Sequence, residues 1–424
     1  MSSKVQILFK NIHKKDSHTY KVARDGGGYK QAEKALNMST EDVIDEVKRA
    51  GIRGRGGAGF PAGLKWSFIP KDNSRAKYLV CNADEGEPGT CKDRDIIRYA
   101  PHLLIEGMII AAFAVGAERG YIYIRGEFVK EAKILEKAIQ EAKENGFLGD
   151  KVGGKNFRFE LAVHRGAGAY VCGEETGLIE SLEGKKGQPR VKPPFPANIG
   201  LWGGPTVINN VETLSSIPSI IENGGDWYGK LGVEKSSGTK LFSISGHVNK
   251  PGNYEVELGI PMKTLIEEYA GGVRGGWDNL KGVIPGGASS AVLPKEVCET
   301  VTMDYDAIAK AGSMLGSGAM IVMDKSVCIV RAIERLSRFY RHESCGQCTP
   351  CREGTGWLSQ IMTRIESGKG VEDDIDLLLS IGNNIAGKTI CALGDAAVGP
   401  VSGSIKAFRD EYIYHVEHGR CMVG

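Results

Sequence analysis

An excess of charge of either sign is missing from this chain. Fifty-four basic residues stand against fifty-two acidic ones, for a formal charge of +2, and no strongly basic segment marks nucleic acid as a main partner. A long apolar run is also missing. The longest, Met108 to Ala117, is far too short to span a bilayer. Met1 to Lys21 is polar and lysine-rich and lacks the apolar centre of a secretory signal. Cysteine is sparse, with ten in 424 residues and none before Cys81, which excludes a disulfide scaffold. What remains, 41% hydrophobic and 25% charged, is the composition of an ordinary globular protein of two or three domains.

Glycine is plentiful, and its densest stretch is Arg53-Gly54-Arg55-Gly56-Gly57-Ala58-Gly59-Phe60-Pro61, followed by Lys65-Trp66. Bare backbone N–H groups let a flat or phosphorylated ligand approach closely. Arg53, Arg55 and Lys65 add positive charge for phosphate. Gly54, Gly56 and Gly59 spell the dinucleotide fingerprint, but that motif needs a strand before it and a helix after it. Here a helix precedes the loop: Ser39 and Asp42 form a capping box, Val43, Ile44, Val47 and Ala50 make one apolar face, and Gly51 ends it. A surface loop is the bland alternative; the neighbouring Phe60, Trp66 and Phe68 favour a nucleotide or flavin site.

Beyond the loop, strand and helix patterns alternate. Tyr78 to Cys81 reads as a buried strand and ends in Asn82-Ala83-Asp84-Glu85-Gly86-Glu87. Three carboxylates crowded at a strand's carboxyl end occupy the place where open α/β sheets bind ligands. Pro101 to Val115 and Val129 to Asn145 read as helices, Gly120 to Arg125 and Phe157 to Val163 as strands. Gly166 to Thr176 leads into a helix that reaches Glu183, and a further helix starts at Asn209-Asn210-Val211-Glu212-Thr213. The alternation predicts an α/β domain to about residue 230. Lys240 to Val248, Met262 to Ala270 and Met320 to Met323 predict a small α+β domain. From Lys325 the pattern is helical. Residues 1–30 are expected to form a loosely ordered arm.

The most specific signal is Cys345-Gly-Gln-Cys348-Thr-Pro-Cys351, with Cys391 about forty residues later. Three thiols at spacings of three can reach three corners of a cubane, the fourth ligand coming from another loop. Structural zinc more often recruits two separate pairs, so the spacing favours [4Fe–4S] over a zinc-stabilised, redox-inactive nucleotide-binding regulator. Cys81, Cys91, Cys172, Cys298, Cys328 and Cys421 show no such spacing and read as small apolar or incidental residues.

Taken together, the glycine loop, Asn82-Ala-Asp-Glu-Gly-Glu-Pro-Gly-Thr90, Gly166-Ala-Gly-Ala-Tyr-Val-Cys-Gly-Glu-Glu-Thr176 and the four cysteines occur in an order that resembles the NADH-binding flavoprotein subunit of respiratory complex I. The resemblance covers nearly the whole chain from Gly27 onward. It implies a Rossmann-like α/β FMN-binding domain over residues 31–235, a ubiquitin-like (β-grasp) α+β domain over 236–325 and a helical bundle with the iron–sulfur cluster over 326–424. FMN would be held by Gly54, Arg55, Gly56, Gly57, Lys65, Asn82, Asp84, Glu85, Tyr170, Gly173, Glu174, Asn209, Asn210 and Thr213. Phe60, Phe68, Glu87, Glu175, Lys192 and Phe195 would hold NADH. Cys345, Cys348, Cys351 and Cys391 would ligate one [4Fe–4S] cluster. No side chain is assigned a covalent or proton-abstracting step; Glu85 and Glu87 would tune the site.

The implied partners are peripheral-arm subunits, especially a thioredoxin-like [2Fe–2S] subunit and a multi-cluster iron–sulfur subunit. Neither nucleic acid nor direct membrane insertion is expected. The implied location is the cytoplasmic face of a bacterial inner membrane, or the matrix side in a mitochondrion. Related subunits of NAD-linked hydrogenases and formate dehydrogenases often carry extra iron–sulfur modules. The missing early cysteines and the missing second cluster motif favour the respiratory subunit. Gly177 stands where the family is expected to carry alanine.

Overall fold

The computed structural model describes residues 5–72 and 74–423. They fall into two compact units. The first takes in the chain up to Gly86, then Cys91–Leu241 and Glu255–Gly259; the second holds Glu87–Thr90, Phe242–Tyr254 and Ile260 onward.

The first unit is built on a parallel sheet of four strands: β1 (Tyr78–Ala83), β2 (Arg119–Ile124), β3 (Glu160–Arg165) and β4 (Thr206–Asn210), in the order β3-β2-β1-β4. Each strand is parallel to its neighbours, as strand–helix–strand crossovers require. The strand order reverses between β1 and β4. There Asn82 and Asn210 are register partners at the carboxyl ends, which is where doubly wound sheets leave a crevice.

Local chemistry accounts for the helices around this sheet. In α1 (Thr40–Arg49) the Ser39 hydroxyl accepts the Asp42 N–H at 3.1 Å, the expected cap. The helix α2 (Ala62–Ser67) follows the glycine loop. Next come α3 (Lys92–Tyr99) and α4 (Pro101–Val115), the latter opened by proline and apolar on nearly every face because it is buried all round. The amphipathic α5 (Val129–Glu144) follows, then α6 (Glu175–Leu182) and α7 (Val211–Asn223). Ile105, Met108, Ile109, Leu214 and Ile217 join β1 and β2 in one apolar core. No single described helix is long and apolar enough to cross a membrane; α4 is bent 98° from α3.

The amino-terminal arm departs from expectation. Ile7, Leu8 and Phe9 are buried, and their N–H groups donate to the Glu255 carboxylate at 2.8 to 3.0 Å. The arm is therefore docked from residue 7, because a buried carboxylate gathers its backbone donors. Residues 1–4 of the expected arm lie outside the described residues.

A second, mixed sheet contains β5 (Thr239–Gly246), β6 (Gly252–Glu257), β7 (Leu280–Ile284), β8 (Leu293–Pro294) and β9 (Ala319–Asp324), in the order β8-β7-β9-β5-β6. The strand β9 is parallel to β5 and antiparallel to β7. The expected helix over 262–270 is one α-turn, Met262–Thr264, followed by a π-turn, Leu265–Tyr269. The chain then becomes helical: α8 (Ile329–Glu343), α9 (Thr349–Glu366), α10 (Asp373–Ile385) and α11 (Leu393–His418). Ile333, Met362, Leu378, Val401 and Ile405 form their common core.

Candidate functional site

The glycine loop is held at its base, and its middle is open. Gly54 N–H donates to Phe60 O at 2.9 Å, and Arg53 Nε donates to Gly59 O at 2.7 Å. Arg55 N–H donates to Thr213 Oγ1 at 2.9 Å, which pins the loop to the first turn of α7. A Cβ on Gly56 would stand 3.1 Å from Asn210 Cβ, so the loop lies against the end of β4. Gly57 has φ +139° and would carry its side chain into open space. The N–H groups of Gly56, Gly57 and Ala58 donate to no protein acceptor among the described residues. Successive unspent donors of this kind make an anion site, which fits a phosphate of FMN. Ala58 is a donor that attention to glycines alone overlooks.

Arg55 corrects the sequence reading. Its side chain is fully buried, with Nη2 donating to Ser237 O at 2.6 Å and Thr239 O at 3.1 Å, and Nη1 to Arg53 O at 3.0 Å. The guanidinium satisfies backbone carbonyls in the interior and offers no charge to the open face of the loop. Only its backbone belongs there.

Positive charge beside the end of β4 comes instead from Lys65 on α2, which shares Glu175 with Lys192. Lys65 Nζ donates to Ile208 O on β4 at 3.1 Å and to Glu175 Oε2 at 3.0 Å. Lys192 Nζ reaches Glu175 Oε1 at 2.9 Å and Glu174 Oε1 at 2.8 Å. Burial raises the Glu175 pKa, but the two ammonium groups outweigh it and hold the carboxyl below its usual range. The adjacent acids divide the work. Glu174 Oε2 caps α6 by accepting Thr176 N–H at 2.7 Å and Gly177 N–H at 3.0 Å, while Glu175 bridges the two lysines. Glu174, read as an FMN contact, is thus spent on a helix cap and Lys192. Gly177 is explained as well: a Cβ would meet Val171 O at 2.8 Å.

The end of β1 supplies polar groups. Asn82 Nδ2 donates to Gly173 O at 2.8 Å and its Oδ1 accepts Asp84 N–H at 3.0 Å. Tyr170 packs beside Gly86, and Gly173 lies next to Asp84. Asn209 Oδ1 accepts the Trp66 indole N–H at 2.8 Å. Asn210 caps α7 through Glu212 N–H at 2.9 Å and donates to Asp93 Oδ2 at 2.6 Å.

Beneath these groups runs a buried charge network. Lys92 Nζ lies 2.7 Å from Asp93 and 2.8 Å from Glu212, which in turn lies 3.3 Å from Lys240 Nζ. Burial would raise Glu212, yet Lys240, Lys92 and Arg55 together pull its pKa down. Glu85 caps α3 through the Asp93 and Arg94 N–H groups at 2.8 and 3.1 Å. Burial, and after it the Asp93 carboxylate, push Glu85 up to about 8, so this carboxyl can hold a proton near neutral pH. The three carboxylates take separate partners, and Glu87 accepts the Ser289 N–H at 2.7 Å.

Three large apolar rings on the first unit face solvent. Phe60, Phe68 and Phe195 are 44%, 50% and 55% exposed, which no core role explains. Phe60 and Phe68 lie 6.2 Å apart between centroids; Phe195 follows the Lys192–Pro194 segment and makes no ring contact with either among the described residues. A cleft of about 360 Å³ lined by Glu41, Ile44, Lys71 and Val115 contains none of the predicted ligands.

In the second unit, Cys345 follows α8, Cys348 directly precedes α9, and Cys351 is buried in the first turn of that helix. Ser344 Oγ lies 3.1 Å from Cys351 Sγ. Burial raises the Cys351 thiol, with Cys348 and Cys345 adding to the shift, so the three thiols are electrostatic neighbours. Cys391 immediately precedes α11. Past a break at Phe408, the last stretch of that helix reaches the start of α8, where His415 Nε2 lies 3.2 Å from Cys328 Sγ. Ile385 lies against both Gly354, one turn after Cys351, and Gly394, three residues after Cys391, so Cys391 is brought to the same end of the bundle as Cys351. A four-iron cube spreads its thiolates more widely than a single ion does, and the donor set of four cysteines fits one.

Three family models match the chain in order: the Nuo51 FMN-binding domain over residues 47–219, the SLBB domain over 240–322 and the NADH-ubiquinone oxidoreductase-F iron-sulfur binding region over 331–415. The NADH-quinone oxidoreductase-F of Rickettsia bellii (strain OSU 85-389), one subunit of that enzyme, is 56% identical over 411 residues, 97% of this chain and 99% of the relative. That of Rickettsia felis is 56% identical over 404 residues, 95% and 96% of the two chains. Among solved structures, an NAD+-reducing [NiFe]-hydrogenase in the H2-reduced state superposes with a TM-score of 0.85 at 34% identity, covering 97% of this chain and 67% of that one. With such identity over nearly its full length, the chain belongs to the NADH-quinone oxidoreductase-F family.

Proposed function

We propose that this chain is the electron-input subunit of a respiratory NADH:quinone oxidoreductase. The observation that carries the reading is the convergence at the β1/β4 switch point: an open run of N–H donors, two lysines sharing Glu175, and a row of asparagines at the strand ends. FMN would supply the chemistry, hydride acceptance from NADH and single-electron donation toward a [4Fe–4S] cluster. The protein's part is to bind and orient. Gly56, Gly57 and Ala58 would hold the phosphate with Lys65 beside it. Asn82, Asp84, Tyr170, Gly173, Asn209, Asn210 and Thr213 would border the flavin. Phe60, Phe68 and Phe195 supply flat apolar surface for adenine, with Glu175 and Lys192 on its polar side. Cys345, Cys348, Cys351 and Cys391 would ligate the cluster.

The finer architecture we propose is a Rossmann-like FMN domain over 31–235, a β-grasp domain over 236–325 and a cluster domain over 326–424. The matched spans of the three family models and the 3-2-1-4 strand order support it. The partners lie within the complex. A thioredoxin-like [2Fe–2S] subunit and a multi-cluster iron–sulfur subunit are the proposed neighbours, with the assembly on the cytoplasmic face of a bacterial membrane or the matrix face of a mitochondrial one.

Replacing Cys348 by Ser tests the division between the two centres. The variant should retain FMN and its reduction by NADH while losing or altering the [4Fe–4S] EPR signal and onward transfer. An unchanged signal removes Cys348 from the ligand set. A colourless wild-type protein, free of flavin and iron after anaerobic purification, overturns the whole reading.

A further inference from the structure

Cys328, His415 and Cys421 share no sequence motif, yet the fold brings one ligand atom of each within 4.8 Å of the others. Cys328 caps α8, where its Sγ accepts the Arg331 N–H at 3.4 Å and lies 3.2 Å from His415 Nε2. His415 projects from the last turn of α11 with its Nε2 turned into the cluster. Cys421 arrives from the tail that follows this helix, and its Sγ accepts the Val423 N–H at 3.4 Å. Cys328 and His415 are buried and Cys421 is half-buried. Glu411, one turn before His415, is committed elsewhere, to Lys281 at 2.6 Å and to the Ile329 N–H at 3.1 Å.

A thiol–imidazole hydrogen bond would account for Cys328 and His415 alone. The third soft donor, on a separate segment, points to an ion. Two sulfurs and one imidazole nitrogen form a donor set that suits zinc. Tetrahedral zinc with ordinary bond lengths would set sulfur and nitrogen about 3.6 Å apart and the two sulfurs about 3.8 Å apart. The 3.2 Å contact and the 4.8 Å limit bracket those spacings. The place is separate from the Cys345 loop. Cys328 opens α8 and Cys345 follows its end, and a helix of 15 residues is about 22 Å long. Likewise Cys391 precedes α11 and His415 stands near its far end. Two cysteine centres thus occupy opposite ends of one helical bundle.

We propose that Cys328, His415 and Cys421 form a zinc site with a water in the fourth position, tying the carboxyl-terminal tail to the start of α8. Zinc would replace the two thiol protons, which pass to solvent, with no change of oxidation state. This explains two cysteines that sequence spacing left as incidental.

The test uses the full chain, purified anaerobically with its flavin and iron–sulfur cluster, incubated with zinc sulfate and gel-filtered. Zinc and iron are measured in the same sample. About one tightly held zinc per chain is expected in the wild type, and also in Cys348→Ser, where iron falls. Zinc should drop at least about tenfold in Cys421→Ala, a change in the half-buried tail that spares the bundle core; His415→Gln should behave alike. Cobalt(II) in place of zinc should show thiolate-to-cobalt absorption that disappears in Cys421→Ala. Three results would overturn the proposal: no zinc in the wild type after incubation, zinc unchanged in Cys421→Ala, or a Cys328–Cys421 disulfide in peptide maps of the anaerobic protein.

Discussion

At the scale of single residues, Glu174 and Glu175 are neighbours in sequence and unlike in role. Glu174 takes the helix N-terminus, where a carboxylate is favoured anyway, through Thr176 and Gly177. Glu175 is left free of that duty and sits between Lys65 and Lys192. A carboxylate there would accept hydrogen bonds from an adenosine ribose and repel an added 2′-phosphate. We therefore expect Glu175→Gln to raise the NADPH-to-NADH ratio of kcat/KM by roughly tenfold, since relieving one poorly screened repulsion is worth about 1–2 kcal/mol. Glu174→Ala should instead cost about 1 kcal/mol of stability, the usual loss for a helix cap, and leave that ratio alone. Steady-state kinetics with both nucleotides, alongside melting curves, separate the pair. A ratio unmoved by Glu175→Gln in flavin-replete protein would withdraw Glu175 from the nucleotide site.

At the scale of elements, the apolar helix α4 carries two charge-capable groups, His102 and Glu106, into the core. Glu106 is buried, and its Oε1 accepts the N–H groups of Gln31 and Ala32 at 2.9 and 3.1 Å, in the first turn of the short helix Lys30–Ala35. Burial raises its pKa to about 7 against the pull of those hydrogen bonds. The folded protein therefore binds more protons at this group than the unfolded chain does between about pH 4.5 and 7. Its contribution is fully present below that window and is lost as pH rises through it, by at most about 3 kcal/mol. Glu106→Gln, fixed in the neutral form, should gain in melting temperature relative to wild type between pH 5 and pH 8. A difference that stays constant with pH would place the proton elsewhere.

For the molecule as a whole, the functional consequence is a division of labour. The chain has one candidate flavin site and one four-cysteine cluster motif, and no single described helix able to cross a membrane. Purified alone, it should oxidise NADH with a small acceptor such as ferricyanide and fail to reduce quinone at a physiological rate. Adding the partner iron–sulfur and membrane subunits should restore quinone reduction. Rapid, inhibitor-sensitive quinone reduction by the single chain would show that this division is wrong.

Sequence by itself determined what short segments encode. The helix cap at Ser39, the proline start of α4, the strands beginning at Tyr78 and near Gly120, the bare donors of the glycine loop and the Cys345–Cys351 spacing all arise within a few turns of chain. There, backbone geometry and hydrophobic period leave a direct mark. Tertiary structure alone decided which way charges turn and which distant residues meet. Arg55 looks like a phosphate ligand in sequence, yet its guanidinium is drawn inward because buried carbonyls of Ser237 and Thr239 need donors. Residues 7–9 read as part of a loose polar arm, yet they dock on Glu255, a carboxylate 248 positions from Ile7 in sequence. Cys328, His415 and Cys421 converge only because the last stretch of α11 packs against the start of α8. Such contacts join positions with no fixed spacing, and the desolvation energies that enforce them come into being only once the chain has closed around them.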